Sequence, residues 1–324
     1  MKKNILLLHT GGTISMNMNN ETGAVIPNKN NPLIGANPVL AKYANIIEVE
    51  AFNLPSPHVT PKEMLTLRNL IVDYTKKFSI DGVVITHGTD TLEETAYFLD
   101  LTTRYKFPIV LTGAMRSSNE LGADGVYNLV KAVRVASDDQ AREKGVLVVM
   151  NDEVHLACNI TKTSTSSVNT FQSPQYGPIG LITTKKVHIH HMPLRRQFVE
   201  VANIEKRVSL LKVYAGMDGD LINAILGMNY DGVVLEGLGQ GNVPPAVAVS
   251  IDKLLEENIP VILVSRCFNG IAEGVYDYEG GGKSLEDKGV IFATGINGQK
   301  ARLKLLIGLN QVQSPVDLKE FFAK

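Results

Sequence analysis

The segment Gly82-Val-Val-Ile-Thr-His-Gly-Thr-Asp-Thr-Leu92 carries the strongest signal for the fold of this chain. Its apolar run, Val83 to Ile85, predicts a buried strand, and the residues from Leu92 to Leu99 predict a helix. Thr91 and Glu94 have the spacing of a capping box, which places the helix N-terminus at Thr91. Open parallel sheets bind ligands where a polar loop joins a strand to a helix N-terminus. The segment therefore predicts an α/β fold with a site in this loop, although a capped turn with one buried aspartate would explain the same residues.

A second segment, Lys3 to Ser15, has the same construction. The apolar residues Ile5 to Leu8 predict a strand, and the tight loop that follows contains two glycines and two threonines. The chain has two threonine-rich loops at strand ends and no glycine-rich phosphate-binding motif. This combination favours hydroxyl chemistry over nucleotide binding.

These two loops resemble the two signatures of the bacterial L-asparaginase family. The matching residues are Thr10-Gly11-Gly12-Thr13-Ile14 and His87-Gly88-Thr89-Asp90-Thr91-Leu92, and the resemblance continues in Gly113–Arg116, Gly122–Gly125, Val148–Asp152 and Thr161–Thr163. It covers essentially the whole chain and is nearest to the cytoplasmic type I branch found in bacilli. The resemblance implies two parallel-sheet α/β domains, a larger N-terminal one and a smaller, Rossmann-like C-terminal one.

The same resemblance implies an activity: hydrolysis of L-asparagine to L-aspartate and ammonia through a β-acyl-threonine intermediate, with no cofactor and no metal. The implied catalytic residues are Thr13, which forms the acyl-enzyme, Thr89, Lys162 as a base near Thr89, and Asp90 as the orienting group. The implied substrate-binding residues are Ser56, Gly12, Gly88, Thr89 and Asp90. Asp90 and Ser56 would hold the amino and carboxylate groups of the substrate.

The residue types suit this chemistry. A threonine hydroxyl is a weak nucleophile and needs an activating neighbour. The chain has no nucleophile-elbow motif and no Ser-His-Asp order. A lysine can serve as the base instead if burial or its neighbours let it become neutral, and the family resemblance implies that arrangement. Glycines 11, 12 and 88 would let backbone N–H groups approach the substrate and form an oxyanion hole.

Composition sets broad limits. The chain has 324 residues, enough for one large or two ordinary domains, and is 44% hydrophobic with a net charge of −1. Such a charge gives no reason to expect nucleic-acid or membrane binding. Cys158 and Cys267 lie too far apart in sequence to form a disulfide framework. Because no signal-peptide core and no long apolar run is present, we expect a cytoplasmic protein.

The order of predicted elements gives the domain organisation. We predict a catalytic domain over residues 1–190, a linker over 191–209 and a second strand–helix series over 210–324. Residues 15–38 predict a long surface loop, which the family uses as a mobile lid. Many relatives place a tyrosine in that lid, and this loop has none. The helix predicted over 124–142 has an apolar face of Val126, Leu129, Val130 and Val133.

The resemblance also implies a homo-oligomer, either a dimer or a tetramer, in which a neighbour completes the active site. Asn242 matches a position that faces the neighbour's site, and Tyr278 and Glu279 are candidates for further groups across the interface. Asp124 is predicted either to orient the active site or to cap a helix. His188 and His190 would share a strand face, but they lack a nearby carboxylate or cysteine at metal-ligand spacing, so we favour a structural role.

Three other functions fit the same sequence. A glutaminase-asparaginase differs in pocket depth by one methylene, which is worth only about 1–3 kcal/mol and cannot be read from sequence. An asparaginase-like subunit of a tRNA-dependent amidotransferase would carry an extra N-terminal domain, whereas Thr13 lies close to the start of this chain. A non-catalytic amino-acid-binding module on the same fold is disfavoured by the intact threonines and lysine.

Overall fold

The computed structural model describes residues 2–19, 21–28, 33, 37–193, 196–311 and 317–323. The chain divides into two compact units, Met1–Phe198 and Val199–Lys324. Within the described ranges, no helix is both long and apolar enough to cross a membrane.

The first unit contains twelve strands and four α-helices among its described residues. The strands are β1 (Lys3–His9), β2 (Met16–Met18), β3 (Val25–Pro27), β4 (Ala44–Glu50), β5 (Gly82–Thr86), β6 (Ile109–Thr112), β7 (Val146–Met150), β8 (Glu153–Leu156), β9 (Thr161–Lys162), β10 (Phe171–Gln172), β11 (Gly180–Ile182) and β12 (Val187–Ile189). The helices are α1 (Asn37–Leu40), α2 (Pro61–Lys77), α3 (Leu92–Thr102) and α4 (Gly125–Ala136).

Eight of these strands form one sheet in the order β12-β11-β8-β7-β6-β5-β1-β4. Strands β4, β1, β5, β6 and β7 run parallel, which confirms the predicted parallel α/β sheet. Strands β8, β11 and β12 extend it with antiparallel pairing. The turn between β7 and β8 consists of Asn151 and Asp152, both with positive φ. So short a turn can join only antiparallel strands, which explains why the sheet changes direction there.

The core of the first unit lies on both faces of this sheet. On β1, Ile5 and Leu7 pack on the face covered by α4, and Leu6 and Leu8 pack on the face covered by α2 and α3. All four side chains are fully buried. Side chains alternate between faces along a strand, so a continuous apolar run is what a sheet covered on both sides requires.

The predicted helix boundaries are only partly correct. Helix α2 begins at a capping box formed by Thr60 and Glu63. The capping box predicted at Thr91 is wrong, because the Thr91 side chain makes no cap hydrogen bond. Its hydroxyl donates instead to the Ser56 carbonyl oxygen, at 2.8 Å. Helix α4 ends at Ala136 rather than near residue 142, and Val126 on its predicted apolar face is 48% exposed.

The predicted long loop over residues 15–38 contains regular structure. Strands β2 and β3 pair as an antiparallel hairpin, with Met16 opposite Pro27. Ser118 and Asn119 fix β2 from the other side: the Ser118 N–H donates to the Met16 carbonyl, and Asn119 exchanges two hydrogen bonds with the Met18 backbone. Part of the predicted loop, residues 20, 29–32 and 34–36, lies outside the described residues.

The second unit has a parallel four-stranded sheet in the order β13-β14-β15-β16. Its strands are β13 (Val208–Lys212), β14 (Gly232–Gly237), β15 (Val261–Ser265) and β16 (Ile291–Phe292); its helices are α5 (Asp220–Gly227), α6 (Pro245–Glu256), α7 (Gly282–Asp287), α8 (Gly298–Leu309) and α9 (Leu318–Ala323). A Cβ atom on Gly232 would lie 2.7 Å from Leu305 Cδ2, so glycine lets α8 pack closely on β14. The predicted second α/β domain is confirmed.

Candidate active site

Two loops meet at the carboxyl edge of the large sheet. Strands β1 and β5 are parallel neighbours that end with His9 opposite Thr86, so the loops that follow them leave the sheet side by side. A Cβ atom on Gly12 would lie 2.2 Å from the Gly88 Cα, and Gly12 has a φ of +83°. Only glycine fits at this contact. The backbone contact brings together the segments that carry Thr13 and Thr89, the residues immediately after Gly12 and Gly88.

Lys162 reaches the second of these loops. Its Nζ lies 3.0 Å from Thr89 Oγ1 and 2.7 Å from Asp90 Oδ1. The Lys162 side chain is 16% exposed, whereas the Asp90 side chain is 58% exposed. The lysine is therefore half-enclosed rather than fully buried, and it joins a sheltered hydroxyl to a carboxylate that solvent or a ligand can reach.

Ser56 connects a third loop to the site. It begins a 3₁₀ turn, Ser56–His58, and is buried. Its hydroxyl oxygen accepts a hydrogen bond from the Asp90 N–H at 3.2 Å. A Cβ atom on Gly88 would lie 2.7 Å from that oxygen. Because the oxygen is already an acceptor, the Ser56 hydroxyl proton can be donated to a ligand.

Thr13 differs from Thr89 in its surroundings. It is the first residue of a 3₁₀ turn, Thr13–Ser15, and is half-buried. Its hydroxyl makes no hydrogen bond to any residue that the structure describes, while the Thr89 hydroxyl is held by Lys162. The two predicted hydroxyls thus lie on touching loops, with one fixed and the other available to a ligand.

His87 joins the second loop to helix α3 through its two ring nitrogens. The Gly88 carbonyl oxygen lies 2.8 Å from Nδ1, and the Thr95 hydroxyl lies 3.0 Å from Nε2. A carbonyl can only accept, so Nδ1 carries the proton and Nε2 accepts from Thr95. Burial lowers the pKa of His87 to about 4, against a smaller opposing effect of the bond to Gly88. The ring is therefore neutral at pH 7 and serves as a rigid support.

Of the two roles predicted for Asp124, that of orienting the active site stays a prediction. Asp124 occupies the N-cap position of α4 but makes no cap hydrogen bond there. Its carboxylate accepts instead from the backbone N–H groups of Met115 and Arg116, at 3.1 and 3.0 Å. Asp124 thereby fixes the loop after β6, next in the sheet to the loop after β5.

Glu93 is a residue that the sequence reasoning missed. It is buried in the first turn of α3, and its Oε1 accepts from the Lys162 backbone N–H and from the Thr161 hydroxyl. The sequence does contain one indication of this role, a glutamate next to Leu92 at the start of a helix that packs on the core. A buried carboxylate at such a position requires hydrogen-bond donors. The donors come from a segment 68 residues away, so sequence alone gave no partner.

The other predicted residues lie as follows. In the second unit, Asn242 Oδ1 accepts from the Gly282 N–H at 3.0 Å, and Tyr278 is 53% exposed beside Tyr276. Glu279 is exposed. A role for Asn242, Tyr278 or Glu279 across a subunit interface stays a prediction. His188 and His190 are exposed near the edge of the first sheet, and the described residues contain no group of three or more side chains that could hold a metal ion.

The chain is similar to known proteins over nearly its whole length. An N-terminal asparaginase family model matches residues 4–195, and a glutaminase/asparaginase C-terminal domain model matches residues 207–322. A Haemophilus influenzae protein named as a probable periplasmic L-asparaginase is 38% identical, with 98% of this chain and 92% of that protein covered. A probable L-asparaginase of Deinococcus radiodurans is also 38% identical, with 99% and 97% covered. The crystal structure of a probable cytoplasmic L-asparaginase from Campylobacter jejuni has a TM-score of 0.91 at 33% identity, with both chains fully covered.

Proposed function

This chain belongs to the asparaginase family, and on that basis we propose that it hydrolyses L-asparagine to L-aspartate and ammonia through a threonine acyl-enzyme. One observation carries the proposal. Lys162 Nζ lies within hydrogen-bond distance of both Thr89 and Asp90. Thr89 and Asp90 belong to the loop whose backbone contacts the segment of Thr13.

We propose that Asp90 and Ser56 bind the ends of the amino acid. Asparagine carries an ammonium group, a carboxylate and a side-chain amide. The exposed Asp90 carboxylate suits the ammonium, and the free proton of the Ser56 hydroxyl suits the carboxylate. Three backbone N–H groups have no acceptor among the described residues: those of Gly12, Gly88 and Thr89. They are candidates to bind the substrate carboxylate or the developing oxyanion.

The proposed first step is attack of Thr13 Oγ1 on the side-chain amide carbon. The C–O bond forms as the carbonyl becomes an oxyanion, and the C–N bond then breaks. The Thr13 proton is passed towards Lys162 by way of the Thr89 hydroxyl, and a proton returns to the leaving nitrogen, which departs as ammonia. Water then attacks the ester and releases L-aspartate, restoring the Thr13 hydroxyl.

Lys162 must lose a proton before it can act as a base, because an ammonium has three donors and no acceptor. Its Nζ is paired with the Asp90 carboxylate in the structure. A substrate ammonium bound at Asp90 would compete with Lys162 for that carboxylate.

Ammonia release from L-asparagine and L-glutamine, measured side by side, tests the proposed function. The wild type is compared with Thr89→Val and with Thr66→Val, which removes a hydroxyl bonded to the Lys62 carbonyl on the exposed side of α2. We expect fast release from asparagine, lost in Thr89→Val and kept in Thr66→Val. Comparable release from both amides would identify a glutaminase-asparaginase, and no release from either would refute an amidohydrolase.

We propose further that the chain acts as a homo-oligomer, a dimer or a tetramer, in the cytoplasm, without nucleic-acid or membrane partners. Family membership and the cytoplasmic description of the Campylobacter jejuni protein support this proposal, although the Haemophilus influenzae relative is described as periplasmic. Light scattering on the purified chain tests the assembly. Mixing Thr89→Val with Glu279→Gln tests subunit sharing, because activity above that of either variant alone requires a site built from two chains.

A further inference from the structure

Lys162 is held at both ends by one continuous segment. Its Nζ contacts Thr89 and Asp90, and its backbone N–H donates to Glu93 Oε1 at 3.3 Å. The same Oε1 accepts from the hydroxyl of the preceding residue, Thr161, at 3.1 Å. Five consecutive residues, 89–93, therefore provide contacts to both the tip of this lysine and its main chain.

The hairpin that carries Lys162 is short. Strands β9 and β10 pair over two residues, with Lys162 opposite Phe171. Beyond the ladder, the N–H groups of Thr163 and Ser164 donate to the carbonyl and hydroxyl oxygens of Thr170. Two-stranded ladders of this kind are marginal without outside support. A lysine side chain also has four carbons with free rotation, so a displacement of its main chain would move or release the Nζ atom.

Glu93 provides that outside support from a rigid base. It belongs to the first turn of α3, whose buried residues Leu92, Ala96 and Leu99 anchor the helix in the core. Glu93 itself is only 4% exposed. Hydrogen bonds to a buried carboxylate are stronger than those between neutral groups, and leaving the carboxylate without them is costly.

We infer that Glu93 is a positioning residue: it sets the distance between Lys162 Nζ and Thr89 by fixing the Lys162 backbone. The expected effect on kcat rests on the proposed function. The expected effect on the position of the Lys162 backbone does not. Glu93 acts only through Lys162, and its contribution is the acceptor oxygen rather than a proton transfer.

The kinetic test compares Glu93→Ala, which removes the acceptor, with Glu93→Gln, which keeps an acceptor oxygen in place. Asp100→Asn is the matched control. Asp100 is a carboxylate on the same helix that accepts from the Val146 N–H at 2.9 Å and pairs with Arg196. We expect Glu93→Ala to lower kcat about tenfold or more with KM nearly unchanged, since small displacements of a catalytic group have effects up to about 100-fold. Glu93→Gln should recover most of kcat, and Asp100→Asn should lower thermal stability without changing kcat.

Equal kcat in Glu93→Ala and the wild type would overturn the inference. So would an equal fall in kcat for Glu93→Ala and Asp100→Asn, which would show a general loss of stability, or a Glu93→Gln variant as impaired as Glu93→Ala. If Glu93→Ala does not fold, Thr161→Val replaces it, because it removes one of the two bonds to Oε1 with little change in shape. Unchanged kcat in Thr161→Val would then overturn the inference.

Hydrogen–deuterium exchange separates this inference from the proposed function. The Lys162 amide should exchange faster in Glu93→Ala, or in Thr161→Val, than in the wild type, while amides of β5 and β6 keep their protection. This comparison needs no turnover. A wild type that releases no ammonia would refute the proposed function, yet faster exchange at Lys162 would still support the positioning role. Unchanged exchange at Lys162 would overturn it even in an active enzyme.

Discussion

Replacing His87 with glutamine should change how the stability of the protein depends on pH. His87 is fully buried, and burial lowers its pKa from 6.5 to about 4. The folded protein therefore holds a neutral ring at pH values where the unfolded chain is protonated. Between pH 6.5 and about 4 the unfolded chain binds the extra proton, so the free energy of unfolding falls as pH falls. The stabilisation by a neutral His87 is complete above pH 6.5 and is lost towards pH 4.

The size of the effect follows from the shift. Each pH unit below 6.5 costs about 1.4 kcal/mol for one such group, so at pH 5 the loss relative to pH 7.5 is about 2 kcal/mol. Glutamine has a donor and an acceptor like the neutral ring but does not titrate. We expect His87→Gln to be less stable than the wild type at pH 7.5, because its fit between Gly88 and Thr95 differs. This deficit should shrink by about 2 kcal/mol at pH 5.

Urea unfolding followed by circular dichroism, at one protein concentration and at pH 7.5, 6 and 5, measures this difference. His58→Gln is the control, because it makes the same replacement at an exposed position. A deficit of His87→Gln that is the same at pH 7.5 and pH 5 would refute the reasoning, since it would mean that His87 titrates alike in the folded and unfolded chains.

Three further substitutions have defined outcomes. Gly12→Ala places a Cβ atom 2.2 Å from the Gly88 Cα, so it should abolish activity and lower the melting temperature strongly. Gly177 also has a positive φ but lies in open space. Gly177→Ala should therefore lower the free energy of unfolding by only about 1 kcal/mol and keep full activity. Ser56→Ala should raise KM for asparagine about tenfold or more, because a hydrogen bond to a charged group is worth about 1.5–3 kcal/mol; an unchanged KM would exclude Ser56 as a substrate ligand. Thr60→Ala should lower the free energy of unfolding by about 1 kcal/mol through loss of the α2 cap, and a change in kcat would contradict its purely structural role.

Local patterns predicted the parts of the fold that local physics determines. Strands β1 and β5 followed from the short apolar runs Ile5 to Leu8 and Val83 to Ile85. The α/β architecture followed from strands alternating with helices. Each of these signals depends on interactions between residues that are only a few positions apart. A short stretch of sequence therefore contains all the residues that determine the element.

Contacts between distant segments were not predictable in this way. The Thr91 hydroxyl bonds to the Ser56 carbonyl instead of capping α3, and Glu93 binds the main chain of Lys162. The β2–β3 hairpin in the predicted loop pairs two three-residue strands, which are too short to show a strand periodicity in the sequence. Ser118 and Asn119, about 100 residues away, provide further hydrogen bonds to β2. The proximity of Lys162 to Thr89 and Asp90 was expected only from the family resemblance, because nothing in the local sequence shows which loop the lysine meets.

The most direct test of the central claim is to identify the acylated residue. Wild-type protein turning over L-asparagine is quenched in acid, digested and examined by mass spectrometry, with Thr13→Ala and Thr89→Val treated in parallel. The proposed mechanism predicts an aspartyl ester on Thr13 in the wild type and no adduct in Thr13→Ala, which should also lack turnover. An adduct on Thr89, or a Thr13→Ala variant with near-wild-type turnover, would contradict the assignment of Thr13 as the nucleophile.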